Sequence, residues 1–159
     1  MARYVYEAHT QVWWCTAIAT ASTPAVSEIT AGVNITNFIS KDGLARNVNT
    51  NNVDSATIAE IFDAQVVGSW GGELELTLFR DAAVDTAWNL FNNYGSTGYV
   101  VIDPIRVAGV MPTQGSKVEV WPAMMHTPAP ENSAANTNVR FTEKLAVTST
   151  PYLSAVAHT

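Results

Sequence analysis

The sequence predicts a mainly β (α+β) domain: an antiparallel β-sandwich or small barrel with one flanking α-helix, an extended loop and terminal arms. Three observations carry this. Roughly seven short segments have strand patterning, one stretch repeats with a helical period, and the strand signals do not alternate with helices as a parallel doubly wound sheet requires. At 159 residues the chain is the size of one domain, residues 1–159, long enough to enclose one hydrophobic core.

The elements follow in order. Residues 10–20 put Val12, Trp14 and Ile18 on one face of a strand and Trp13, Cys15 and Ala17 on the other. Apolar side chains on both faces need cover on both sides, and a neighbouring subunit is one source of it. Pro24 ends this strand. Residues 26–30 and 31–39 come next. The Asn34-Ile35-Thr36 triplet matches a glycosylation sequon only formally, because its context is not secretory. Residues 40–54, with Lys41-Asp42-Gly43 and the Asn-rich run through Asn47, Asn49, Asn51 and Asn52, read as a long loop, since Asn favours turns. A short helix over 55–64 and a strand over 65–70 ending at Gly71-Gly72 follow.

Residues 73–80 form the clearest strand, with Leu74, Leu76 and Leu78 on one side and Glu73, Glu75 and Thr77 on the other. Asp81 then reads as the N-cap of the one confident helix. In it Val84, Ala87, Trp88 and Phe91 fall at i, i+3, i+4 and i+7, and Gly95 is the stop. Residues 99–102 are a buried strand closed by Asp103-Pro104, and 117–121 a strand stopped by Pro122. The Pro, Ala and Asn stretch 128–138 is a loop. Residues 138–148 are a long strand with Val139, Phe141, Leu145 and Val147 on one face, which Glu143 interrupts. Residues 151–159 lack periodicity and read as an extended arm.

The chain is 47% hydrophobic and 14% charged, well below the roughly 25% charged residues usual for soluble domains. A surface of Thr, Ser, Asn and Ala is cheap to desolvate, which suits a subunit buried against its copies. Net charge is −6, which argues against a binder working by phosphate neutralisation. The asymmetry is sharper than the total. Residues 54–103 contain eight acids against Arg80 alone, leaving about +1 for the rest, so part of the surface should be distinctly negative. Cys15 is the one cysteine; it excludes an internal disulfide and reads as a small core residue. Residues 12–19 loosely imitate a signal-peptide core, but Glu7, His9 and the Trp pair argue against one. No run has the 18 apolar residues of a membrane span. Synthesis in a cytoplasm, with no membrane partner, is the expectation.

No catalytic constellation emerges. His9, His126 and His158 are dispersed, HExxH, GxSxG and P-loop patterns are absent, and no glycine run builds a phosphate cradle. Glu73 and Glu75 share one strand face, so they point side by side rather than flanking a scissile bond. Asp81 and Asp85 suit a helix N-terminus. The expectation is a chain with no enzymatic activity, no metal and no cofactor.

Taken in order, several segments resemble the major tail tube proteins of long-tailed phages, particularly those infecting actinobacteria. They are Ala31-Gly32-Val33-Asn34-Ile35-Thr36-Asn37-Phe38, then Leu74-Glu75-Leu76-Thr77-Leu78-Phe79-Arg80-Asp81 followed by the Trp88 helix. Tyr99-Val100-Val101-Ile102-Asp103-Pro104, Lys117-Val118-Glu119-Val120-Trp121-Pro122 and residues 139–151 complete the set. Order, spacing and length carry the likeness, over about 31–156. The resemblance implies a structural virion protein whose sandwich or barrel forms hexameric rings by joining sheets edge to edge. The rings stack into a tube for DNA ejection, with tape measure protein inside and terminator and tip proteins at the ends. On this chain it implies a stacking loop at 40–54, with Asn47, Asn49, Asn51 and Asn52, and arms at 1–7 and 151–159. A wall that passes DNA without binding it should be neutral or negative, which makes Glu73 and Glu75 candidate lumen-facing acids. Alternatives are a tail terminator or neck ring, a tube protein of a related bacterial injection system, and a monomeric ligand-binding barrel using Trp13, Trp14 and Trp121.

Overall fold

The computed structural model describes residues 9–59, 62, 64–107 and 109–159. The predicted arm at 1–7 lies outside them, as do three positions of the predicted helix at 55–64; its residues 55–59 are coil and turn. Strand β1 (Gln11–Cys15) leads to helix α1 (Val26–Ala31), the two-residue strand β2 (Val33–Asn34) and a 3-10 turn (Thr36–Phe38). Two long strands follow, β3 (Ile39–Asp54) and β4 (Gln65–Phe79), then helix α2 (Thr86–Phe91). The remainder is β5 (Thr97–Asp103), β6 (Lys117–Met124), β7 (Ala129–Pro130), β8 (Arg140–Val147) and β9 (Tyr152–Val156).

All pairings between these strands are antiparallel, along the path β2-β1-β5-β6-β8-β4-β3, with β7 on β8 and β9 on β6. The path bends at the short β6–β8 contact, Ala123↔Val147 and Met124↔Ala146, giving two layers with a mainly β sandwich between them. Period-2 alternation puts Val12, Trp14, Val100, Ile102, Trp121 and Ala123 of one layer against Leu74, Leu76, Leu78, Phe141 and Leu145 of the other. Ala87 and Phe91 of α2 join this core, where Phe91 meets Trp14 edge-on with ring centroids 5.8 Å apart. Close packing leaves no room at Gly98, where a Cβ would lie 2.5 Å from the Trp14 ring.

The two-faced first strand is covered from within the chain. Trp13 and Cys15, with Val101, Val118 and Val120, form a second cluster under Ile29 of α1, Ile18, Ala155 and Ala157. The last two belong to the tail read as an arm. It is instead β9, pairing with β6 through Lys117↔Val156 and Val118↔Ala155, and its end is tied down by Ala157 N–H to Ser116 O (2.9 Å) and His158 N–H to Pro24 O (3.0 Å). Alanines too small to give a period still fit flat against Trp13. The ligand-platform tryptophans Trp13, Trp14 and Trp121 are all core, each at most 2% exposed.

Three boundaries differ from expectation. The helix is six residues long, because Asp81 binds the Ala83 amide (3.0 Å) and Asp85 sits at φ 51, a left-handed conformation that breaks a helix. Val84 is therefore exposed, while Ala87, Trp88 and Phe91 land inward as the period requires. Strand β6 runs through Pro122. Pro122 O accepts from Thr148 N–H (3.0 Å), so its ring nitrogen faces the same side, where the neighbour changes from β9 to β8 and no donor is needed. Residues 40–54, expected as a loop, lie in β3.

Candidate assembly surface

Strand β3 pairs with β4 from Ile39↔Leu78 to Asp54↔Gln65. Its predicted turn survives as an irregularity between Ile39 and Leu44, and a second shift lies between Thr50 and Asn52. There a Cβ on Gly68 would meet Asn51 O at 2.8 Å, so the close backbone approach of this bulge needs a glycine. The Asn-rich segment is a strand because β4 pairs with it from Asn47↔Glu73 to Thr50↔Trp70 and, past the bulge, from Asn52↔Val67 to Asp54↔Gln65. Its partner carries the strand formers Val66, Val67 and Trp70.

Strand β8 covers β4 only from Leu74 to Phe79. Beyond that the two strands have only each other, through Asn47↔Glu73, Thr50↔Trp70 and Val53↔Val66. This ribbon extends about 25 Å at about 3.3 Å per residue. Val48, Val53, Ile58, Phe62, Val66, Val67 and Trp70 are all exposed along it. A two-stranded ribbon is marginal by itself in water, and β3 is last in the strand path, with no strand beyond it among the described residues.

The register brings five candidate residues to one face. Glu73 and Glu75 point away from the core with Asn47, which pairs with Glu73, and Asn49, which pairs with Gly71. Asn51 follows Asn49 on that face, where its amide reaches Ser69 Oγ (3.4 Å). Asn52 is on the opposite face and donates to Gln65 Oε1 (3.1 Å). The face is not purely acidic: Lys144 Nζ lies 3.5 Å from Glu75 Oε2, and Arg140 pairs with Glu131 at 3.0 Å. Opposite the glutamates, Arg46 bridges to Glu119 at 3.2 Å, and Glu119 also accepts from Trp121 Nε1 (3.1 Å). This pins the ribbon's root to the sandwich.

Nothing here is arranged for bond chemistry. Among the described residues no three His, Cys, Asp or Glu side chains gather to hold a metal. Burial pushes the Cys15 thiol up to about 12, so it is protonated and unreactive. Glu143, the residue that interrupted its strand face, is fully buried. Its Oε1 accepts the His126 amide (2.8 Å), and Oε2 has no partner among the described residues. Burial raises this carboxyl to about 7, against the opposing pull of that amide. Sequence reasoning marked Glu143 as an anomaly; the β3–β4 ribbon escaped it, although the β-branched Val48, Thr50 and Val53 among the asparagines were the available signal.

The sequence matches the family model described as phage tail tube protein over residues 1–159. No curated protein matches. Among solved structures, the fold is similar to a chain of the anti-feeding prophage baseplate, a 6-fold symmetrised cryo-EM structure. The TM-score is 0.55 at 13% identity, covering 94% of this chain and 95% of that one.

Proposed function

We propose that this chain, which belongs to the phage tail tube protein family, is the subunit of the tube itself. Copies close into rings of six, and the rings stack into a hollow virion tail through which DNA passes into the host. The chain is made in the host cytoplasm, and its tube encloses tape measure protein and ends on terminator and tip proteins. DNA traverses it without specific binding.

The observation that carries this reading is the β3–β4 ribbon. It projects exposed valines and Trp70 on a strand pair that ends the described sheet, a surface suited to cover by another chain. The sixfold symmetry of the baseplate with a similar fold supports rings of six. Glu73 and Glu75 on the outer face of the sheet fit a lumen wall, and Lys144 and Arg140 beside them bring that wall towards neutrality.

Negative-stain electron microscopy of the purified chain across concentration tests the proposal. Hollow tubes of stacked rings are the expected outcome. Isolated rings that never stack would point to a terminator, and small featureless particles at every concentration would remove the tube reading.

A further inference from the structure

One other surface concentrates exposed apolar side chains. The connection between β5 and β6, residues 104–116, shows Ile105, Val107, Val110 and Met111, each 44–51% exposed. Its backbone is fastened from beneath. Buried Gln11 donates Nε2 to the carbonyl oxygens of Val107 (2.5 Å) and Val110 (3.0 Å). Buried Asp103 pairs with Arg106 Nε (3.0 Å) and accepts the Ile105 amide (3.3 Å). The Ser116 hydroxyl accepts from the Arg106 guanidinium and from the Thr113 amide. Connections this long without secondary structure are uncommon unless functional. One held by buried hydrogen bonds has little ordering entropy left to lose on docking.

Charge separates the two apolar surfaces. Residues 104–117 contain no acid; Asp103 balances Arg106, and Lys117, exposed at the end of the loop, has no ion pair among the described residues. The ribbon is the converse. From residue 47 to residue 79 there is no base, while the same stretch of sequence carries Asp54, Glu60 and Asp63. Head-to-tail assembly needs two different, complementary patches on one chain, and these two are opposite in charge and alike in being apolar.

Resting on the tube reading, we infer that the ribbon tip of one copy docks on the 105–111 loop of another copy. Val53 and Val66, paired across the ribbon on one face, cover Ile105, Val107 and Val110, and Asp54 at the end of β3 lies beside Lys117. The ribbon gains the third layer it lacks, and the loop's apolar side chains leave water.

Cysteine trapping tests this on the full chain, since Cys15 is buried and stays protonated. Val66→Cys and Val110→Cys are combined, oxidised mildly at high protein concentration, and run on a non-reducing gel beside each single variant. The double variant is expected to give a covalent ladder beyond dimers, and neither single variant any product. In low salt, Lys117→Glu added to the double variant should cut the ladder several-fold, with Lys117→Arg retaining it. Dimers from Val66→Cys alone would mean that ribbons dock on each other, and would overturn the assignment. So would an absent ladder, whether or not tubes form. Parallel microscopy keeps the readings apart: tubes without a ladder sink only the acceptor loop, and a ladder without tubes keeps the contact while removing the tube.

Discussion

A carboxyl group enclosed between Phe141 and Leu145, with one oxygen on the His126 amide and the other unmatched, is easier to bury neutral than charged. The unfolded chain releases this proton near 4.5 and the folded chain holds it to about 7. Between those values the folded state binds more protons, so stability falls as pH rises through the window and is lowest above it. The full difference is about 3 kcal/mol. Glu143→Gln should therefore flatten the pH dependence of the urea midpoint between pH 4.5 and 7, and be more stable than the parent at pH 8. A parent and variant with parallel profiles would show that Glu143 ionises freely. Gly98 makes the opposite point, that a vacancy is required. Gly98→Ala places a methyl 2.5 Å from the Trp14 ring and 2.7 Å from Cys15 O, and should cost about 1–3 kcal/mol, read from the same denaturation curves.

At the scale of elements, the ribbon and the sandwich are energetically separate. The core residues of β4 are Leu74, Leu76 and Leu78; from residue 73 outward to residue 65 no side chain of β4 is buried. Replacing residues 50–70 by a two-residue Asn-Gly turn, which leaves Asn49↔Gly71 as the closing pair and suits a hairpin, should leave the melting temperature within a few degrees of the parent while abolishing tubes. Normal tubes from this variant would remove the ribbon from stacking. Helix α2 shows the reverse dependence. Six residues are far below the length at which a helix holds itself, so α2 exists because Ala87 and Phe91 are buried and Trp88 packs edge-on to Phe141 at 5.1 Å. The Arg80 guanidinium closes over Trp88 at 4.0 Å.

For the whole molecule, the charge imbalance matters through the face on which it is displayed. Glu73 and Glu75 lie on the outer face of the sheet with Lys144 and Arg140, so reversing both glutamates converts a near-balanced surface into a basic one. DNA would then be held by released counterions. Phage carrying Glu73→Lys with Glu75→Lys should assemble tails of normal length and release DNA slowly or not at all, with added salt partly restoring release. Unchanged release kinetics in low salt would move these residues off the lumen.

The mainly β class and the apolar faces of the most strongly patterned segments are local properties, and the sequence by itself determined them. Leu74-Leu76-Leu78, Tyr99-Val100-Val101-Ile102 and Phe141-Leu145 alternate or cluster strongly enough that no partner could turn them into anything but buried strands. The face shared by Glu73 and Glu75 was legible for the same reason, since a period of two leaves no other choice. Only the tertiary structure decided what each segment pairs with. Asn47, Asn49, Asn51 and Asn52 carry turn propensity, and β4 overrides it by offering backbone partners on both sides of a single bulge at Asn51. Ala155 and Ala157 carry almost no pattern, yet Trp13 on β1 needs a flat small-residue cover. Pro122 breaks an isolated strand but not one whose neighbours change beside it. In each case a weak local preference, worth about 1 kcal/mol or less, gave way to backbone pairing and burial that exist only when distant segments meet.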